Sequence, residues 1–97
     1  MKENKTILLS ADAEVALYQV SEEIWSNFDK LIKVFFKWKK TKQYDETLFV
    51  KFLRNLYGEK SIAFITIVGN YSGSPDKIFQ NGKDVTEQYK GVKWFNF

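Results

Sequence analysis

Fourteen lysines and one arginine, Arg54, supply every basic side chain of this 97-residue chain, and six of the lysines crowd a single stretch. Lys30, Lys33, Lys37, Lys39, Lys40 and Lys42 alternate there with Phe35, Phe36 and Trp38. Cations interleaved with aromatic rings suit an anionic counterpart: nucleic acid, anionic lipid or an acidic protein face. The choice of cation limits the reading. Lysine is a point charge, whereas planar, two-pronged contact with phosphate or guanine favours arginine. The same pattern is also what a solvated helix face over an ordinary core stripe looks like.

The absences narrow the chemistry further. The chain has no His and no Cys, so Ser–His and Cys–His nucleophile pairs are impossible and the commonest general base at neutral pH is missing. Zinc sites built on those ligands are excluded with them. Three carboxylate pairs remain, Glu22 with Glu23, Asp45 with Glu46, and Asp84 with Glu87. All three fall where a helix or turn would begin, and capping explains them. An acid pair of the glycosidase kind needs a deep cleft, which a chain this short can hardly build. Gly69 to Gly73 holds only two glycines, with no Gly-Lys-Ser/Thr sequence to cradle a phosphate. The expectation is a non-enzyme with no metal and no cofactor.

Residues 1–97 form one domain by length, and 44% hydrophobic with 18% aromatic content is ample for an unstapled core. Without Cys no disulfide framework exists. The start of the chain leads only into the short apolar run Thr6 to Leu9, too short for a signal-peptide core or a membrane span. A cytoplasmic location is the default. The formal charge is +3, and residues 21–44 alone sum to +3, so the Lys-rich stretch carries the excess.

The elements that must position these residues follow from periodicity. Thr6 to Leu9 and Glu14 to Val20 read as two strands joined by a turn at Ser10 to Ala13. Ser21 then caps a helix, Glu22 and Glu23 fill its first turn, and Ile24, Phe28, Leu31, Phe35 and Trp38 repeat every four and three residues along its buried face. A strand reading of Ile32 to Trp38 competes, but the cap and the long helical period decide against it. After a link at Thr41 to Tyr44, Asp45 caps a second helix ending at Gly58, with Leu48, Phe49, Phe52, Leu53 and Leu56 inward. So short a link predicts an antiparallel helix pair.

Ser61 to Val68 is apolar on both faces, which predicts a central strand. Phe64 and Ile67 are therefore expected to face the same core as Ile24, Phe28, Leu31 and Phe35. A loop follows at Gly69 to Asp76. Lys77 to Gln80 and Lys83 to Thr86 flank Asn81-Gly82, a strong hairpin signal. Asp84-Val85-Thr86-Glu87 equally matches a capping box, so a helical turn over 85–90 competes. Val92 to Phe97 reads as the last strand.

The fold class is thus α+β: an N-terminal β-hairpin, an αα-hairpin on an antiparallel or mixed sheet, and a C-terminal hairpin or meander. Aromatic residues left outside that core, Tyr71 and Trp94 foremost, join Lys30, Lys33, Lys37 and Lys40 as candidate partner-binding residues, because exposed rings mark interfaces more often than chemistry. The expected function is a small non-catalytic protein-binding module, an inhibitor, adaptor or regulator whose partner is another protein. The alternative is a nucleic-acid-binding module using the basic helix. No motif identifies a family, although the size, the missing catalytic residues and the lysine content resemble small accessory proteins of phages and mobile elements.

Overall fold

The computed structural model describes residues 5–38, 46–73 and 76–97. It is an α+β domain in which a six-stranded mixed sheet carries three helices on one face. The strands are β1 (Lys5–Ala11), β2 (Glu14–Val20), β3 (Ile62–Ser72), β4 (Lys77–Gln80), β5 (Lys83–Asp84) and β6 (Lys93–Asn96); their order across the sheet is β5-β4-β3-β2-β1-β6. All neighbours are antiparallel except β1 and β6, which run parallel.

Both hairpins turn on left-handed residues. Asp12 and Ala13 have φ of 50° and 70° between β1 and β2, and Asn81 and Gly82 have 53° and 79° between β4 and β5. Two successive positive φ values match the twist of the strands they join. The anticipated capping turn is also present after β5. Thr86–Tyr89 forms a short 3₁₀ turn, and Asp84 Oδ1 accepts from the Thr86 backbone N–H at 2.9 Å. Thus hairpin and turn coexist, because β5 is only two residues long.

The first helix is broken where a continuous one was expected. α1 (Glu22–Ser26) is capped by Ser21 Oγ, which accepts from the Ile24 N–H at 3.4 Å. Asn27 then leaves helical geometry (φ −108°, ψ 16°), and its side chain donates to the Glu23 carbonyl at 2.8 Å. Asparagine can satisfy the backbone from its own amide, so it terminates one helix while its carbonyl accepts from Leu31 N–H and opens α2 (Phe28–Trp38). α3 spans Glu46–Tyr57, and Gly58 follows at φ 104° as a left-handed cap. Its expected N-cap, Asp45, and the link at Thr41 to Tyr44 lie outside the described residues.

The helix-side core is held by aromatic rings. Phe35 is fully buried and meets Phe49 at 5.1 Å and Phe52 at 5.4 Å between centroids, while Phe28 meets Phe49 at 6.4 Å. Phe36 reaches Phe95 at 5.6 Å, so α2 lies over the β6 edge. A second, smaller core fills the other face, where Leu8, Val15, Val68, Ile78 and Val85 are buried beneath Tyr71, Tyr89, Val92 and Trp94.

Three expectations about burial fail. Leu56, expected on the inward face of α3, is 54% exposed, because it lies one turn beyond the rings that close the core. Trp38 does not sit inside the core stripe: it stacks on Phe35 at 6.2 Å with its other side in solvent. β3 is central in the strand order, but it is not buried on both faces. Ile62 and Val68 are buried, but every residue from Ala63 to Ile67 is exposed. The reason is length mismatch. β4 pairs only with Asn70–Ser72 of β3, leaving the first eight residues of the strand with β2 on one side and, among the described residues, no strand on the other.

Candidate functional site

Two surfaces carry the described residues singled out by sequence, and the structure does not bring them together. Lys30, Lys33 and Lys37 are exposed on α2, whose buried residues Phe28, Leu31, Ile32 and Phe35 occupy the opposite side. Lys40 lies outside the described residues. Tyr71 and Trp94 are half-buried on the helix-free face of the sheet, their rings 5.7 Å apart and nearly perpendicular.

The Tyr71–Trp94 pair is anchored from behind. The Trp94 indole N–H donates to Ser10 Oγ at 2.9 Å, and the buried Ser10 hydroxyl donates in turn to Asn96 Oδ1 at 2.9 Å. The Tyr71 hydroxyl donates to the Asp76 carboxylate, a bond that raises the phenol above its ordinary range. Beside Trp94 lies a cavity of about 320 Å³, lined by Ile78, Thr86, Tyr89, Lys90 and Val92 among others. Its rim carries Asp76 and Glu87 together with Lys90, so no single charge dominates it. The rings are fixed by internal hydrogen bonds, and they read as part of the second core more than as a reactive centre.

A third surface was not singled out as a site. The open stretch of β3 presents Phe64, Ile65 and Ile67, which are 54%, 45% and 40% exposed. Phe64 pairs with Tyr18 and Ile67 with Ala16, residues of the helix-side core. The helices stop short of them, so both project beside the covered part of that face. Tyr18 meets the Phe64 ring at 5.7 Å, edge to face. The register slips twice along this pair of strands, leaving Ile65 and Val68 without a counterpart in β2. Extra residues of this kind bend a strand and re-aim its side chains.

One end of the open edge is closed by a side chain. The Ser61 carbonyl accepts from Ser21 N–H on the covered side at 2.9 Å. The next carbonyl, of Ile62, is taken by Arg54 Nη2 at 3.1 Å. The Tyr18 hydroxyl lies beside the Glu46 carboxylate and Arg54; burial first, then Glu46, pushes the phenol well above its ordinary range, while Arg54 opposes the shift. Arg54 Nε is buried and makes no hydrogen bond among the described residues.

The residues from Ser61 to Asn70 include no charged side chain and no proline. Sheet edges are ordinarily blunted by lysine, proline or a covering element. The signal for this surface in the sequence is an uncharged apolar run, a pattern that a strand buried on both faces shares.

Among the described residues no group of three or more carboxylates is placed to hold a metal, and no helix is long and apolar enough to cross a membrane. Compared with known proteins, the chain matches no family model, no curated protein and no solved structure.

Proposed function

We propose that this domain is a non-catalytic protein-binding module that takes an extended segment of a partner along the open edge of β3. The observation that carries this reading is the stretch Ile62 to Val68, whose outer side no strand pairs among the described residues while Phe64, Ile65 and Ile67 stand in solvent. An unpaired edge offers a row of backbone donors and acceptors, and an added strand satisfies them while alternate side chains give selectivity. Apolar side chains clustered on such an edge are the mark of an interface. The absence of charge along the run favours an uncharged, β-branched or aromatic segment over a nucleic acid, whose phosphates need cations along the path of contact.

The test is selection of displayed random peptides against the wild-type domain and against Ile65→Lys. The expected winners are extended, apolar sequences that bind the wild type, slow amide exchange across residues 62–69, and lose affinity for the variant. Because Ile65 is nearly half exposed, the variant should keep its melting temperature. Peptides that bind both proteins equally, or that leave the β3 amides unprotected, would overturn the reading.

A further inference from the structure

The helix layer has its own uncovered apolar row, separate from β3. Val34 and Trp38 lie one turn apart on α2 and are 41% and 51% exposed. The Trp38 ring meets Phe52 of α3 at 5.3 Å, and Leu56, one turn further along α3, is 54% exposed. Val34, Trp38 and Leu56 thus form an exposed seam that crosses from one helix to the other over the buried ring of Phe52.

The borders of this seam have one sign. Lys30, Lys33 and Lys37 are exposed on α2, and Lys51 with the neutral Asn55 is exposed on α3. The acids of these two helices, Asp29 and Glu46, both stand in first turns, and Glu46 is engaged with Tyr18. The core does not need Val34, Trp38 or Leu56 for closure, since Leu31, Phe35, Phe49 and Leu53 are already buried beneath them.

From this seam we infer that the helix layer is a second docking surface, which takes an acidic amphipathic helix of a partner protein. The apolar stripe of such a helix would cover Val34, Trp38 and Leu56, and its flanking carboxylates would meet the lysines of α2 and α3. Two other anionic surfaces fit less well. Trp38 lies against Phe35 and Phe52 and so does not project past the lysines as insertion among acyl chains requires. A phosphate backbone would leave the apolar row uncovered. With the β3 edge this makes the domain a two-surface adaptor. The helix-layer surface stands whether or not that edge binds a strand.

The experiment uses the full chain and a labelled synthetic peptide of about fourteen residues, with leucines at i, i+3, i+4 and i+7 and glutamates on both flanks. Anisotropy titrations are run beside two controls, vesicles containing phosphatidylserine and a short DNA duplex. Binding of the peptide that weakens at high salt, that falls about tenfold in Trp38→Ala and in the Lys33→Glu/Lys37→Glu double variant, and that is unchanged in Ile65→Lys is the expected result. The lysine double variant touches no buried side chain, so it guards against loss of fold in Trp38→Ala. Equal affinity of wild type and both variants, or tighter association with vesicles or DNA than with peptide, would overturn the inference.

Discussion

Two phenylalanines that look alike in the sequence should behave very differently when truncated. Phe35 is fully buried and its ring lies within 5.4 Å of those of Phe36, Phe49 and Phe52. Phe35→Ala removes the largest share of the helix-side core and leaves a cavity that three rings cannot collapse to fill. The cost is expected at the upper end of the range for buried phenylalanine, about 4–5 kcal/mol. Phe64 is more than half exposed and has one ring neighbour among the described residues, Tyr18. Burial of less than half its surface corresponds to about 1–2 kcal/mol for Phe64→Ala, an upper bound given a compact unfolded state. A domain of this size loses about 4–8 °C of melting temperature per kcal/mol, so the two variants should melt at least about 10 °C apart. Phe35→Ala approaches the whole stability of an ordinary domain of this length, roughly 5–15 kcal/mol. The assay is thermal and urea unfolding followed by circular dichroism, with the wild type as reference. Equal losses in the two variants would show that β3 is covered after all and would remove the basis of the proposed strand-binding edge.

Two further perturbations probe the surroundings of that edge. Gly69→Ala should destabilise the β3–β4 pairing by about 2–3 kcal/mol, because a Cβ there would meet the Phe79 carbonyl oxygen at 2.6 Å and Ile78 Cγ2 at 2.8 Å; a melting temperature equal to wild type would contradict that packing. The raised phenol of Tyr18, held neutral by burial and by Glu46, contributes stability that is complete below the unfolded-state value near pH 10 and is lost as pH rises toward the folded value. Urea titrations from pH 8 to pH 11 should therefore show a shallower alkaline loss for Tyr18→Phe than for wild type, and parallel curves would exclude the linkage.

The elements were legible because their causes are local. Ser21 with two following glutamates, the four-and-three spacing of Ile24, Phe28, Leu31 and Phe35, Gly58 as a left-handed stop, and Asn81-Gly82 each act within a few residues, and each is found where the sequence places it. The break at Asn27 was also local in cause. It was missed because the apolar period runs through it without interruption.

What only tertiary structure decided is which faces are covered. The run from Ile62 to Val68 has the composition of a strand flanked on both sides, and nothing within it states how far its neighbour extends. β4 reaches only Asn70–Ser72, because a four-residue strand bounded by the Asn81-Gly82 turn can extend no further. Trp38 likewise falls on the helical period of the core, yet its burial depends on where α3 ends and how Phe52 meets it. Apolar periodicity specifies a surface that water disfavours; whether that surface is closed by the chain itself or left for a partner is set by strand pairing and helix placement between residues far apart in sequence. For this protein the lysines, the missing histidine and cysteine and the helix periods were fixed in the chain, whereas the open edge and the seam exist only once those distant elements have met.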